Sequence, residues 1–255
     1  MMEPIFYARI RDLLVLAERG EVAVSDFLNP EEQYHAKQYL AQCQVSRYRL
    51  FGGYADAERK KLFCLPDWYF AEDPTEPPDG WESEIAVLHI QGSGYHTLTH
   101  RDYLGSLLAL GVARQAVGDL VPQEEQGCVC FCAESVAPFL LEQWERVGAD
   151  KVHVCRKQLP ADFTAQRNYR ELHDTIASAR LDCAVASVTR LSREKAKALI
   201  ASGKVRLNFT EVLSPDAQIA SGDQLSVTGA GRFVIRDCEE YTKKNRIRFC
   251  AWQYL

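Results

Sequence analysis

The chain has 255 residues, of which 47% are apolar and 25% charged, with a formal net charge of -5. These fractions are ordinary for globular domains, so the chain can bury a real core and disorder is not the default reading; the length admits one large domain or two to three small ones. No run approaches the ~20 apolar residues of a membrane-spanning helix, and Met1-Met2-Glu3-Pro4 lacks the basic start and apolar stretch of a secretory signal, which makes the cytoplasm the expected compartment.

The first segment runs to about Asp73. Ile5 to Glu18 predicts an amphipathic helix with Ile10, Leu13, Leu14 and Ala17 on one face. Asn29-Pro30-Glu31-Glu32 is a helix start in which Asn29 caps, Pro30 suits the first helical position and Glu32 completes a capping box. That helix is expected to reach about Cys43. Ser46 to Phe51 and Lys60 to Leu65 predict two strands around Gly52-Gly53, where paired glycines permit positive φ. The stretch from Asp73 to Gly80, with three prolines and three acidic residues, predicts a linker.

From Trp81 to about Pro160 the pattern alternates. Ile85 to Gln91 reads as a strand, Thr99 to Leu110 as a helix stopped by Gly111, and Gly118 to Pro122 and Cys128 to Ala133 as strands. Ser135 to Val147 reads as a helix closed by Gly148, and Lys151 to Arg156 as a final strand. The order β-α-β-β-α-β is the ferredoxin-like pattern, shared by RNA-recognition domains and by many unrelated proteins. Ala161 to Ser178 is polar and predicts a connecting helix.

Several residues here imitate functional sites. Cys128, Cys130 and Cys132 share one face of a strand; with no C-x-x-C pair among the nine cysteines and no histidine close by, they read as small buried apolar residues rather than metal ligands. His100-Arg101-Asp102 spells the kinase catalytic triplet, but Leu107 stands where an asparagine is needed and no glycine-rich phosphate loop accompanies it. Asp102 there suits the start of a helix. His96 and His100 lie four apart without a third ligand, and Gly229-Ala230-Gly231 precedes a strand rather than the helix of a dinucleotide site.

The third segment, 179–255, differs in charge. Arg180 to Leu255 holds 13 Lys and Arg against 8 Asp and Glu, and the remainder 17 against 27. A basic end on an acidic body points to a polyanion-binding module. Arg180-Leu181-Asp182 opens a short helix with Leu181, Val185 and Val188 inward. Ser192 caps a second, Arg193 to Ala201, with Arg193, Lys195 and Lys197 outward, ended by Ser202-Gly203. Strands are predicted at Lys204 to Phe209, Gln224 to Thr228, Arg232 to Arg236 and Arg246 to Trp252, the last preceded by a turn at Thr242-Lys243-Lys244-Asn245.

Arg180-Leu181-Asp182, Ser192-Arg193, Ile200 with Gly203 and Val205, and Gly222-Asp223 together resemble the RNA-binding domain named after small-subunit ribosomal protein four. On that resemblance Arg180 and Arg193 are expected to grip phosphates bidentately, with Ser192, Lys195, Lys197, Lys204, Arg206, Arg232, Lys243 and Lys244 adding contacts to the backbone of structured RNA. Asp182 is expected to be a structural partner of a neighbouring arginine. Further, Asp26 to Gln33, Phe51 to Lys61 and Thr99 to Val112 are similar to motifs of the bacterial YlmH family, in the same order along the chain. Arg59, Lys60 and Lys61 lie in one of these motifs and form a possible second RNA contact or a solvated strand edge.

The expectation is therefore an α+β chain of three small domains: 1–73 helical with a hairpin, 81–160 ferredoxin-like, and 179–255 a helix-helix-strand RNA-binding domain. The family resemblance implies non-enzymatic binding of rRNA or tRNA, association with the large ribosomal subunit, and rescue or quality control of stalled subunits, with no cofactor, metal, membrane or small-molecule substrate. The alternatives are an RNA-modifying enzyme of the pseudouridine synthase or methyltransferase type, and a scaffold for cell division.

Overall fold

Pro4 and Pro30 each stand at the head of a helix, where the missing N–H breaks no helical hydrogen bond, and they open α1 (Pro4–Glu18) and α2 (Pro30–Gln42). A computed structural model describes residues 3–69, 77–123, 127–160, 163–165, 169–243 and 245–254. Most of the expected linker, Asp73 to Glu76, and the site residue Lys244 lie outside the described residues. The predicted capping box is present: the Asn29 side chain accepts the Glu32 N–H at 2.9 Å, and the Glu32 carboxylate accepts the Asn29 N–H at 2.7 Å. Both helices cover a sheet of order β1-β3-β2, made by β1 (Ala23–Leu28), β2 (Tyr48–Phe51) and β3 (Lys60–Cys64). Ile10, Ala36, Leu40 and Leu62 fill the space between.

The next elements are β4 (Ile85–Gly92), α3 (His100–Ala109), β5 (Val117–Gln123), β6 (Gly127–Ala133), α4 (Ala137–Gln143), β7 (Arg146–Val147) and β8 (Asp150–Arg156). They build an antiparallel sheet of order β5-β6-β4-β8-β7. Apart from the short β7, this is the order that a β-α-β-β-α-β chain gives when each helix crosses over one face. Strand β6 is covered on both sides. Cys128, Cys130 and Cys132 face the core under α3 and α4, and Val129 and Phe131 face a second core that includes Phe27, Tyr54 and Phe63 from the first segment. Burial alone holds the Cys128 thiol far above its ordinary pKa, as expected of an inert apolar packing residue.

That shared core makes Met2–Gln166 one compact unit containing both of the first two expected domains. Two glycines let the layers approach. A Cβ on Gly53, at φ +99°, would lie 2.4 Å from the Phe131 ring, and one on Gly118 would lie 2.7 Å from the Phe27 ring.

The second unit is Arg167–Leu255. It contains β9 (Tyr169–Ile176), α5 (Leu181–Thr189), α6 (Arg193–Ala201), β10 (Val205–Leu207), β11 (Thr210–Glu211), β12 (Gln224–Val227), β13 (Gly231–Asp237) and β14 (Ile247–Tyr254). Its sheet has the order β11-β10-β12-β13-β14-β9. Leu181, Val185 and Ile200 of the helices pack on Val205, Leu225, Phe233, Ile235 and Phe249 of the sheet. Both helices therefore lie on one face of it.

Two sequence expectations are corrected. The helix expected across 161–178 is strand β9 over its described C-terminal part, paired along its whole length with β14 from Tyr169↔Tyr254 to Ile176↔Ile247. The helix expected from Ser135 to Val147 is a 3-10 turn, Glu134–Val136, followed by the two turns of α4. At Trp144 the backbone turns to ψ 77°, which ends the helix, and Arg146–Val147 pairs with β8 instead.

Candidate nucleic-acid interface

The pair α5–α6 presents the best-formed cationic surface among the predicted residues. α5 is almost wholly buried, from Leu181 through Val185 and at Val188. Its first free N–H groups are already taken, Leu181 donating to the Ala217 carbonyl and Asp182 to that of Pro215, both at 2.8–2.9 Å. α5 stops at Arg190, which adopts the left-handed conformation at φ 56°. Ser192 then caps α6, its side chain accepting the Lys195 N–H at 3.4 Å. Ala196 and Ile200 anchor α6; Lys195 and Lys197, two positions apart, leave on opposite flanks of that buried stripe, and Arg193, one turn before Ala196, lies at its edge. Lys195 and Lys204 are exposed, and Lys197 is half-buried with a 3.5 Å contact to Glu194. An exposed pair of that kind contributes little and leaves the ammonium available.

Arg180 and Arg193 are tied together by a carboxylate. Asp182 is fully buried, and it accepts Arg180 Nε at 3.2 Å, Arg180 Nη2 at 3.4 Å and Arg193 Nη2 at 2.8 Å. Burial by itself pushes the Asp182 carboxyl up, but the hydrogen bonds and charges of Arg193 and then Arg180 outweigh it and hold it below the usual carboxylate range. The same bond raises the Arg193 pKa further. The two guanidinium side chains remain 35% and 49% exposed. They are thus positioned by Asp182 while keeping a solvent-facing portion, and the trio carries one net positive charge.

Arg206 and Arg232 are elsewhere. Val205 and Phe233 point into the core under the helices, and successive strand residues face opposite ways, so Arg206 and Arg232 lie on the outer face of the sheet. The single cationic surface expected from sequence is therefore divided between two faces of one domain. Lys243 is exposed in the turn before β14, where Thr242 N–H bonds the Arg246 carbonyl at 2.6 Å.

The possible second contact, Arg59-Lys60-Lys61, is largely built into the fold. Arg59 donates Nε to the Val117 carbonyl at 2.9 Å and Nη2 to that of Phe27 at 2.8 Å. Burial, and then the charge of Arg114, lower its pKa to about 10. Lys61 is 6% exposed, bonded to Glu84 at 3.2 Å and set over the Phe27 ring. Neither presents a surface to a polyanion, because strand alternation and the shared core draw both inward. Lys60 remains, half-buried on the rim of an open cleft of about 1380 Å³ that Phe51, Trp81, Arg156, Lys157 and Phe163 also line.

The catalytic look-alikes have structural partners. Asp102 forms a capping box with Thr99 at the head of α3, accepting the Thr99 N–H at 2.8 Å, and those bonds lower its pKa. His96 lies 3.7 Å from the buried Asp150, whose carboxylate also accepts the Ser93 hydroxyl and N–H. Among the described residues no group of three His, Cys, Asp or Glu is placed to hold a metal ion, and no helix is long and apolar enough to cross a membrane.

Sequence reasoning missed an aromatic cluster on the outer face of the same sheet. Tyr169 stacks on Trp252 with centroids 5.1 Å apart and meets Tyr254 edge-on at 5.2 Å. Arg236 lies 4.2 Å over the Trp252 ring, and Arg232 5.4 Å over that of Tyr254. The signal is present as alternating aromatics in Trp252-Gln253-Tyr254, but a helix across 161–178, as the sequence predicts, sets Tyr169 out of line with them.

Residues 78–161 match the sequence model of a domain family described as "Putative RNA-binding domain in YlmH". The chain is similar to the Ribosome-associated protein quality control protein P2 of Bacillus subtilis (strain 168), with 30% identity over 240 residues covering 92% of this chain and 88% of that protein. Among solved structures, that of the cell division protein ylmH from Streptococcus pneumoniae superimposes with a TM-score of 0.50 over 62% of this chain and 94% of its own length, at 13% identity, a likeness of fold.

Proposed function

The chain belongs to the YlmH family, and on that premise we propose that it binds structured RNA on the ribosome without catalysing a reaction on it. One observation carries the reading: α6 sets Lys195 and Lys197 outward beside two arginines that the buried Asp182 already orients. A rigid cationic surface suits A-form RNA, which is recognised mainly by shape and backbone rather than by base edges. Bidentate arginines add geometric selectivity for phosphate oxygens, and the lysines add point charge.

The finer reading is that the partner is rRNA or tRNA on the large subunit, in the cytoplasm, in the quality control of stalled complexes. The name of the B. subtilis relative supports that direction. In this reading the C-terminal unit docks, and the N-terminal unit, whose residues 78–161 match a domain model named for RNA binding, adds selectivity.

The test is co-sedimentation of the purified chain with separated ribosomal subunits, alongside anisotropy titration with labelled tRNA. Wild type is expected to pellet with large subunits, and Lys195→Glu/Lys197→Glu to remain in the supernatant with an unchanged circular dichroism spectrum. Retention of large-subunit binding in that folded variant would reject the α6 surface. Absence of binding by the wild type would reject the function.

A further inference from the structure

The outer face of the C-terminal sheet carries side chains for which the helical surface has no use. Its register places Arg206 of β10 opposite Ser226 of β12, and Ser226 opposite Arg232 of β13. Phe233 pairs with Gln253, which brings Arg232 level with Tyr254 of β14, and Tyr254 pairs with Tyr169 of β9. Arg206, Ser226, Arg232, Tyr254 and Tyr169 therefore form one row across five strands, roughly 19 Å long at ~4.8 Å per strand step. Beside it, Arg236 from β13 and Tyr169 from β9 flank Trp252 on β14.

We propose that this face is a second RNA-binding surface, and that it takes a single-stranded segment rather than a duplex. The proposal rests on the RNA-binding reading above and adds a second, separate site to it. Single strands are held where cationic side chains follow the backbone and aromatic or guanidinium planes meet unpaired bases. A duplex keeps its base faces stacked inside, so this mixture of rings and guanidinium groups has nothing to grip on one except phosphate.

Three features favour this occupant. Arg206, Arg232 and Arg236 share the face with Glu171, Glu211 and Asp237, but those acids already have neighbours: Glu211 pairs across the strands with Arg206, Glu171 bonds His173 at 3.2 Å, and Asp237 accepts the Glu239 N–H at 3.0 Å. Arg232 and Arg236 are held over tyrosine and tryptophan rings, a contact that leaves the N–H edges of a guanidinium free in direction to reach phosphate oxygens. Finally, the rings are fixed by one another before any ligand arrives, which lowers the ordering penalty of binding.

The experiment uses the full chain and two fluorescein-labelled probes, an oligouridylate and an RNA hairpin, read by anisotropy. Arg232→Glu/Arg236→Glu is expected to weaken oligouridylate binding roughly tenfold or more while hairpin affinity stays within about twofold. Lys195→Glu/Lys197→Glu is expected to do the reverse. Ultraviolet crosslinking of the wild type to oligouridylate, with the adduct mapped by mass spectrometry, is expected to mark Tyr169, Trp252 or Tyr254, and it stands even if the sheet variant fails to fold. Unchanged oligouridylate binding in a folded sheet variant, crosslinks confined to the α6 peptide, or hairpin binding without oligouridylate binding would each overturn the second surface alone. If neither probe binds, the proposed function itself fails.

Discussion

Arg193 donates Nη2 to Asp182 Oδ2 at 2.8 Å across the α5–α6 turn, and that carboxylate has no solvent exposure. An acidic side chain in the first turn of a helix ordinarily answers the helix dipole from the surface. Here it is a buried clasp between the first two residues one would choose for phosphate recognition. Asp182→Ala removes the clasp while both arginines can rehydrate, so a loss of about 1–3 kcal/mol is expected in urea denaturation. Arg193→Glu sets a second carboxylate beside a buried one and is expected to cost about 3 kcal/mol or more. Charge reversal at Arg193 therefore confounds folding with binding, and Lys195 and Lys197 are the informative positions for RNA.

The same clasp gives a pH dependence. The folded Asp182 pKa lies below the unfolded value of ~3.9, so the unfolded chain takes up the proton more readily. The contribution of Asp182 is fully present above ~4 and declines as pH falls toward the folded pKa. Asp182→Asn is expected to lower stability near neutrality and to flatten the acid limb of the melting temperature against pH. A parallel acid limb in the variant would show that other carboxylates dominate.

In the N-terminal unit, Asp119 of β5 ties down the chain between β2 and β3. It accepts the Tyr54 hydroxyl at 2.6 Å, the Glu58 N–H at 2.7 Å and the Arg59 N–H at 2.9 Å. Asp119→Ala is expected to destabilise this unit by about 2–4 kcal/mol, seen as an earlier transition in chemical denaturation, with RNA affinity of the folded protein unchanged. A loss of affinity without loss of stability would return Arg59 to the list of RNA contacts.

Gly53 is a third structural test. Its φ of +99° and the 2.4 Å approach to the Phe131 ring leave no room for a methyl group. Gly53→Ala is expected to cost more than ~1 kcal/mol, whereas Gly111→Ala, at φ +81° with nothing within 4 Å of its Cβ, is expected to be milder. Equal melting temperatures would remove the packing part of the argument.

What was legible in the sequence followed local chemistry. The Asn29–Glu32 box, the Ser192 cap and the bounds of α6 each follow from a few adjacent residues. Strand β9 was hidden because Leu172 and Ile176, its main inward residues, lie four apart and imitate a helical face. Its strand character comes from pairing with β14, more than seventy positions away. The end of α4 was likewise hidden, since Arg146–Val147 are drawn out of the helix by β8. At the candidate site, the identity of the cations was readable but their distribution was not. The alternation at Val205–Arg206 and Arg232–Phe233 separates inside from outside, and only the position of α5 and α6 tells that outside here means away from those helices.

The most direct test of the central claim is the salt dependence of large-subunit binding, compared between wild type and Lys195→Glu/Lys197→Glu. If the α6 face neutralises several phosphates, log affinity falls linearly with log salt at a slope of roughly -3 to -5, and the variant loses about two units of that slope together with its affinity. A slope near zero, or one that the double substitution leaves unchanged, would contradict RNA docking through this helix.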